Sequence, residues 1–233
     1  MAFLKLENVG RDFKSEAGVL SALTDVSFEL ENGEFVVVVG PSGAGKTTLL
    51  NLLGGMDSPS RGEIVLDDVL ISKFSKREMI NFRRNDVGFV FQFYNLMPNM
   101  TAKENVELAT EICKDPLNSV KVLKDVGLED KLNHFPAQLS GGEQQRVSIA
   151  RAIAKNPKIL LCDEPTGALD YETGKKILKL LYDISKNNQK LVMVVTHNQA
   201  LKEMADKVIT IKNGKIKSIV KNESPKSIEE IEW

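Results

Sequence analysis

The feature that most constrains this chain is a glycine-rich loop between an apolar stretch and a leucine-rich stretch. Residues 36–39 are all valine, and residues 47–53 carry leucines at helical spacing. The loop fits the pattern G-x-x-x-x-G-K-[ST], whose backbone N–H groups surround phosphate oxygens at the start of a helix. The sequence therefore predicts a triphosphate-binding loop between a strand and a helix. Its residues are Gly40, Pro41, Ser42, Gly43, Ala44, Gly45, Lys46 and Thr47, with Thr48 directly after them.

Two side chains at the end of this loop carry its chemistry. We expect the Lys46 amino group to reach the terminal phosphates of a nucleotide and the Thr47 hydroxyl to ligate Mg²⁺. The alternative is a glycine-rich turn with an incidental lysine. That alternative gives no reason for the strand before the loop and the helix after it, so the pattern and its position together favour nucleotide binding.

Two adjacent carboxylates end another apolar stretch. Residues 159–162 are apolar, and Asp163 and Glu164 follow them directly. Ligands bind at the carboxyl edge of open α/β sheets, where both side chains are expected to lie. We predict that Asp163 holds Mg²⁺ and that Glu164 acts as the base on an attacking water. A solvated acidic turn before Pro165 is the alternative.

A second candidate anion site lies at residues 139–143, whose sequence is Leu-Ser-Gly-Gly-Glu. Ser140 and Glu143 have the spacing of a capping box, which needs no ligand. Glycine inside a helix costs up to about 1 kcal/mol relative to alanine, so Gly141 and Gly142 need another reason. Exposed amides at a helix N-terminus attract anions, and this helix start has no lysine of its own. We predict that it supplements a phosphate bound elsewhere.

The order of the apolar stretches predicts an α/β fold. Buried strands are expected at residues 36–39, 159–162 and 191–195, and stretches with helical periodicity separate them. Strands that alternate with helices form a parallel sheet with helices on its faces. We therefore predict a mainly parallel core sheet.

The remaining patterns surround this core. Residues 3–39 carry strand signals, and the middle of the chain, from about residue 93 to 155, is more helical and more charged. We expect an N-terminal β subdomain and a helical lobe inserted in the sheet. A single domain is expected over residues 1–220. Residues 221–233 are polar, acidic and aperiodic, which predicts a tail of unknown order.

Charge and composition narrow the class of protein. The 233 residues carry 31 Lys plus Arg against 32 Asp plus Glu, a net charge of −1, so no basic field exists to hold nucleic acid. The apolar stretches are shorter than the roughly 20 residues that cross a bilayer. Residues 1–7 include an acidic residue where a signal peptide has its apolar core. Cys113 and Cys162 make no disulfide framework, so we expect a reducing, cytoplasmic location, with Cys162 as a small buried residue.

Taken in order, these motifs resemble those of ABC transporter ATP-binding proteins over about residues 3–216. Residues 89–98 further resemble the subfamily of macrolide exporters, lipoprotein-release systems and the division-associated ATPase. The resemblance implies an α/β fold of the P-loop NTPase type, with a mainly parallel core sheet, an N-terminal antiparallel β subdomain and an inserted helical lobe. The motifs are the phosphate loop, Gln92, residues 139–143, Asp163 with Glu164, residues 167–170, and His197 after Thr196.

The resemblance also implies a head-to-tail dimer, with homodimer and heterodimer both open. ATP lies at the interface, between the phosphate loop of one chain and residues 139–143 of the other, which explains the anion site without a lysine. Ser140, Gly141 and Gly142 then act on the partner's nucleotide.

Further roles follow from the same resemblance. Phe13 stacks on adenine, Gln92 senses Mg²⁺ and the attacking water, His197 contacts the γ-phosphate, and Asp170 links the two sites. For Phe13 and His197 taken alone, a structural role is the alternative. The catalytic set implied is Lys46, Gln92, Glu164 and His197, and the Mg²⁺ set is Thr47, Gln92 and Asp163.

The family further implies an integral membrane permease as a separate chain, which places this subunit on the inner face of the cell membrane. The permease is expected to dock around residues 92–108. The connection at residues 112–118 is shorter than is usual in the subfamily, which leaves the identity of the permease open. Three alternatives remain: a signalling complex that moves no substrate, a soluble ABC-type protein acting on nucleic acid or ribosomes, and an ordinary P-loop kinase.

Overall fold

The computed structural model describes residues 2–16 and 18–231, so the last two residues of the predicted tail lie outside the described part. The strands are β1 (Leu4–Ser15), β2 (Gly18–Leu30), β3 (Phe35–Val39), β4 (Arg61–Leu66), β5 (Val69–Leu70), β6 (Val87–Val90), β7 (Ile159–Asp163), β8 (Leu191–Val195), β9 (Lys207–Lys212) and β10 (Lys215–Lys221). The helices are α1 (Lys46–Leu53), α2 (Lys76–Asn85), α3 (Ala102–Thr110), α4 (Ser119–Asp125), α5 (Gly141–Ala154) and α6 (Tyr171–Asn187).

A six-stranded sheet forms the centre of the molecule, with strand order β10-β9-β3-β8-β7-β6. Neighbouring strands from β9 to β6 are parallel, and only β10 pairs antiparallel, as the outer strand next to β9. Every residue of β3, β7 and β8 is buried, as expected for strands that are covered on both faces. The predicted mainly parallel core sheet is confirmed.

A four-stranded antiparallel sheet, in the order β2-β1-β4-β5, packs on one face of the central sheet. Val36 and Val38 of β3 point into the apolar cluster on that face, together with Leu4 and Leu6 of β1 and leucines of α1. Val37 points to the opposite face, where α5 and α6 pack. Because β3 is buried on both faces, the loop that follows it starts from a rigid base.

The helical lobe consists of α3, α4 and α5. The break between α3 and α4 falls at residues 111–118, where proline cannot continue a helix and the Asn118 side chain accepts a hydrogen bond from the Lys121 N–H to start α4. Helix α6 begins at Tyr171, because Asp170 caps it by accepting a hydrogen bond from the Thr173 N–H at 3.0 Å.

The end of the described chain covers most of the segment for which the sequence predicts a polar tail of unknown order. Residues 222–231 lie against the body of the protein, and Ile228 and Ile231 are buried in the apolar cluster beneath α6. The Tyr171 hydroxyl donates a hydrogen bond to the Ile231 carbonyl at 3.3 Å. An ion pair of 3.1 Å between Lys179 and Glu229 adds to the contact. This segment completes the core next to α6.

Replacing Ile231 by alanine is therefore expected to lower the free energy of unfolding by about 2 to 5 kcal/mol, the usual range for a buried isoleucine. The side chain is 1% exposed. Chemical denaturation followed by circular dichroism measures the change. Ile219→Ala is the matched control, because that side chain is 41% exposed and its loss should cost under about 0.5 kcal/mol. Equal effects of the two changes would contradict the packing described here.

Candidate active site

A cavity of about 760 Å³ opens at the carboxyl ends of β3, β7 and β8. It lies where open α/β sheets bind ligands. Most of the predicted site residues meet here although they come from separate parts of the sequence. Those that line the cavity are Phe13, Gly40, Ser42, Gly43, Ala44, Gly45, Lys46, Thr47, Thr48, Gln92, Asp163, Glu164 and His197.

The phosphate loop depends on glycine at two positions with positive φ. Gly43 has φ +72° and a Cβ there meets no atom within 4 Å, so its backbone faces open space. Gly45 has φ +102°, and a Cβ there lies 2.6 Å from the Ala22 carbonyl oxygen. The Lys46 ammonium donates hydrogen bonds to the carbonyls of Gly40 at 2.8 Å and Pro41 at 2.9 Å. The loop therefore holds a positive charge at its centre.

Asp163 and Thr47 face each other at the end of β7 and the start of α1. The Thr47 hydroxyl donates a hydrogen bond of 2.9 Å to the Asp163 carboxylate, which is 6% exposed. Burial raises the pKa of Asp163, and the adjacent negative charge of Glu164 raises it further, against the lowering effects of Thr47 and Lys46. A buried carboxylate next to a hydroxyl oxygen fits a hard divalent cation such as Mg²⁺.

These residues suit a cation that is shared with a ligand. Within residues 2–16 and 18–231, no group of three or more His, Cys, Asp or Glu side chains is placed to hold a metal ion by itself. Mg²⁺ often binds through one or two carboxylates together with substrate phosphates. The Thr47 and Asp163 oxygens beside the phosphate loop fit that mode.

Glu164 lies directly after β7 with φ +50°, a conformation that is uncommon for a residue other than glycine. One carboxylate oxygen, Oε1, accepts a hydrogen bond from the backbone N–H of His197 at 2.9 Å and lies 2.8 Å from the ring Nδ1 of the same residue. The other, Oε2, accepts a hydrogen bond of 3.0 Å from the Thr196 hydroxyl. The side chain is 17% exposed, so the chain holds this carboxylate in one orientation at the cavity wall.

Phe13 and His197 are both accessible, contrary to a purely structural role in the core. The Phe13 side chain is 40% exposed, and the Arg11 guanidinium carbon lies 4.7 Å from the centre of its ring. The His197 side chain is 81% exposed. Each therefore presents its ring to the cavity or to solvent.

Five of the predicted residues do not line the cavity of their own chain: Pro41 of the phosphate loop, and Ser140, Gly141, Gly142 and Asp170. Ser140 caps α5 in a capping box with Glu143, whose carboxylate accepts a hydrogen bond from the Ser140 N–H at 2.7 Å. Asp170 caps α6. The hydrogen bond that its carboxylate accepts from the Thr173 N–H lowers the pKa of this carboxyl group. The structure thus places both groups at helix starts away from the phosphate loop.

Several residues of the site were missed from the sequence. Ser21 and Ala22 of β2 and the turn Asn213-Gly214 line the cavity, and the Gly214 N–H donates a hydrogen bond of 3.0 Å to the Ala44 carbonyl of the phosphate loop. Thr196 enters the sequence analysis only as the residue before His197. An Asn-Gly pair such as 213–214 is typical of a hairpin turn, but nothing in the sequence indicates which loop the turn supports.

In the described ranges, no helix combines the length and the apolar character that a membrane crossing requires.

Comparison with known proteins identifies the family. The sequence model of the family described as ABC transporter matches residues 23–167, which is more than half of the chain. The chain belongs to the ABC transporter family. Its fold is the ABC ATPase fold, because solved ABC cassettes superimpose on 94% of the chain.

Curated members of the ABC transporter family align with almost the whole chain. A protein from Mycoplasma pneumoniae, named as a putative ABC transporter ATP-binding protein and MG065 homolog, is 41% identical over 99% of this chain. That alignment covers 50% of the relative, so the chain spans about half the length of this curated protein. The uncharacterized ABC transporter ATP-binding protein MJ0796 from Methanocaldococcus jannaschii is 42% identical over 91% of this chain and 94% of its own length.

Two solved ABC transporter structures are similar to the chain. A dimeric structure of the cassette MJ0796 in a post-hydrolysis state, bound to ADP and Pi, has a TM-score of 0.88 and 40% identity over 94% of this chain and 98% of its own. A second dimeric structure of MJ0796, described as a bacterial ABC transporter cassette, has a TM-score of 0.89 and 41% identity over the same shares.

Proposed function

We propose that this chain binds and hydrolyses ATP as the nucleotide-binding subunit of an ABC transporter, and that two copies work together around two ATP molecules. The observation that carries the proposal is the meeting of Lys46, Asp163 and Glu164 in one cavity. Phosphoryl transfer requires a positive charge beside the phosphates, a group that holds the metal ion and a group that orients the nucleophile. Lys46, Asp163 and Glu164 can supply these three parts.

ATP occupies the cavity with its phosphates in the loop. The backbone amides of the loop and the Lys46 ammonium bind the β- and γ-phosphates, as in other P-loop proteins. The adenine stacks on Phe13, whose exposed ring lines the same cavity. Base-to-aromatic stacking and the helix N-terminus after the loop both favour this orientation of the nucleotide.

Thr47, Asp163 and Gln92 are the residues that we propose to hold Mg²⁺. When bound, the ion neutralises charge that develops on the phosphate oxygens. The support on the protein side is the contact of 2.9 Å between the Thr47 hydroxyl and the Asp163 carboxylate, and the position of Gln92 on the cavity wall.

Hydrolysis then requires a water in line with the γ-phosphorus. Glu164 accepts a proton from this water as its oxygen attacks phosphorus, and the bond between the γ-phosphorus and the β–γ bridging oxygen breaks to give ADP and phosphate. His197 contacts the γ-phosphate. Removing one hydrogen-bond donor that faces the charge of the transition state raises the activation free energy by about 2.7 to 4 kcal/mol. Hydrolysis is therefore expected to be slow when a donor that a single chain does not place in the site is missing.

The groups that are missing from the cavity favour a head-to-tail dimer of this chain. Ser140, Gly141 and Gly142 start α5 outside their own cavity, and Asp170 starts α6. In the proposed dimer, the start of α5 reaches the partner's nucleotide and Asp170 links the two sites. Two dimeric structures of one relative, MJ0796, at 40% and 41% identity, support the homodimer.

A membrane permease is the second partner that we propose, with the subunit bound to it at the inner face of the cell membrane. Phe93, Met97 and Leu108 near the helical lobe expose 77%, 45% and 44% of their surface, which suits a protein contact. The direct test is to purify the tagged chain from its own cells and to ask whether a membrane subunit co-purifies with it. Recovery of the chain without any membrane protein under conditions that keep membrane complexes intact would argue against this partner.

ATP hydrolysis per chain is expected to rise with chain concentration at saturating ATP and Mg²⁺, because each site needs residues from a second copy. Phosphate release over a dilution series, with the oligomeric state followed by analytical ultracentrifugation, measures the effect. A monomer that hydrolyses ATP as fast as the dimer would overturn the two-copy site, while leaving nucleotide binding in place.

A further inference from the structure

Thr196 is a buried residue in contact with the proposed catalytic carboxylate. It follows β8 directly, and it is 1% exposed. Its backbone N–H donates a hydrogen bond of 3.1 Å to the Val38 carbonyl of β3, the strand that leads into the phosphate loop. Its hydroxyl contacts Glu164 Oε2 at 3.0 Å. Thr196 therefore connects the position of Glu164 to the strand that carries the phosphate site.

The direction of the hydroxyl hydrogen bond is determined by a third group. The Asn198 N–H donates to Thr196 Oγ1 at 3.0 Å, which occupies a lone pair of the hydroxyl oxygen. A threonine hydroxyl has one proton to donate. That proton points to Glu164, so the carboxylate is the acceptor in this contact.

The two oxygens of Glu164 are held in different ways. Oε1 accepts a hydrogen bond from the His197 backbone N–H at 2.9 Å and lies 2.8 Å from the ring of the same residue, whose side chain is 81% exposed. Oε2 contacts the buried Thr196 hydroxyl. An exposed ring can leave its partner at small cost, whereas separating a buried hydroxyl from its acceptor leaves a buried polar group without a hydrogen bond. Of the contacts that Glu164 makes, the one between Oε1 and the His197 ring is thus the exchangeable one.

The backbone of Glu164 makes this support necessary. Its φ of +50° is an unfavourable conformation that persists only where surrounding contacts hold it. The Glu164 N–H donates to the Val195 carbonyl at 2.9 Å, and the side-chain contact to Thr196 is made to the next residue of that strand end. The backbone and the side chain of Glu164 are therefore both hydrogen-bonded to the end of β8.

We propose that Thr196 is a positioning residue for ATP hydrolysis: its hydroxyl holds Oε2 of Glu164 so that Oε1 stays directed at the attacking water once His197 turns to the nucleotide. The proposal rests on the proposed function, because it assigns Thr196 to the same proton transfer. It concerns the rate of the chemical step and leaves nucleotide binding unchanged.

Thr196→Val keeps the shape of the side chain and removes the hydroxyl. The kcat for ATP hydrolysis is expected to fall about 10- to 100-fold, the range for a hydrogen bond to a charged group. The KM for ATP and the Kd for a fluorescent ATP analogue are expected to stay within about 2-fold. Thr196→Ser restores the hydroxyl and should recover kcat to within about 3-fold. Thr110→Val, another buried threonine far from the site, is the matched control and should keep kcat.

A double-mutant cycle separates positioning from general damage. In a Glu164→Gln background, Thr196→Val should lower the residual single-turnover rate by less than about 2-fold, because the group that it positions is already lost. A full kcat in Thr196→Val, a lack of recovery in Thr196→Ser, or an equal loss in both backgrounds would overturn the proposal. If the unmodified protein binds ATP but does not hydrolyse it, the result counts against the proposed function and not against the role of Thr196 alone.

Discussion

Replacing Glu164 by glutamine is expected to reduce ATP hydrolysis by about 10²- to 10⁴-fold while ATP binding is retained. Glutamine has nearly the same shape, and its single side-chain oxygen can accept the hydrogen bond of either the Thr196 hydroxyl or the His197 N–H, which bind different oxygens of Glu164. It does not accept the proton of the attacking water. Phosphate release under saturating ATP measures the rate, and binding of a fluorescent analogue measures the affinity.

The same variant should accumulate as an ATP-bound dimer, because the step that separates the two copies is blocked. Size-exclusion chromatography with and without ATP detects it. Glu203→Gln is a suitable control, since Glu203 pairs with Lys226 away from the cavity and its replacement should leave hydrolysis and oligomeric state as they were. Brisk steady-state phosphate release from Glu164→Gln would remove Glu164 from the role of base. Failure of ATP to promote dimerisation would favour an ordinary P-loop enzyme.

Lys46→Ala is expected to weaken ATP binding by about 10- to 100-fold or more, because a hydrogen bond to a charged group contributes about 1.5 to 3 kcal/mol. The Lys46 ammonium lies at 2.8 Å from the Gly40 carbonyl and 2.9 Å from the Pro41 carbonyl, so its removal takes away the positive charge at the centre of the loop. Titration calorimetry with ATP and Mg²⁺ measures the change.

The control for this prediction is Lys73→Ala. The Lys73 side chain is 68% exposed and pairs with Glu63, outside the cavity. Its loss should leave ATP affinity unchanged. Thermal unfolding of both variants guards against misfolding. A Lys46→Ala protein that folds normally and binds ATP as tightly as the original would show that the loop holds its ligand by backbone amides alone.

Much of this site was predictable from the sequence because its parts are local patterns. The phosphate loop joins a strand to a helix within eighteen residues, 36–53, and both carboxylates follow a short apolar stretch that predicts a strand. The rule that ligands bind at the carboxyl ends of parallel strands then brings these segments to one edge. The roles of the individual side chains stay predictions until the variants are measured.

The parts that sequence reasoning missed depend on contacts between distant segments. Thr196 contacts Glu164 because β7 and β8 are neighbours, and their pairing of Asp163 with Val195 sets the register. Ala22 and Gly214 reach the phosphate loop through the packing of two sheets. Neither contact has a local signal, since propensity and periodicity describe a segment by itself.

The packing of the C-terminal segment has no signal in the sequence for a different reason. Residues 222–231 are mostly polar, and their buried apolar side chains, Ile228 and Ile231, are too few to produce a periodic pattern. Their burial comes from the fit to α6 and from the contacts of Tyr171 and Lys179. Composition described this segment correctly as polar but could not indicate where it packs.

The strand order has a consequence for biosynthesis. Strand β3 lies between β8 and β9, which come much later along the chain. Val36 and Val38 can pack on β1 and α1 early, but both hydrogen-bonding edges of β3 stay without β8 and β9 while more than 150 intervening residues are translated. We therefore expect the unpaired edges of β3 to be a site where the nascent chain is prone to aggregate.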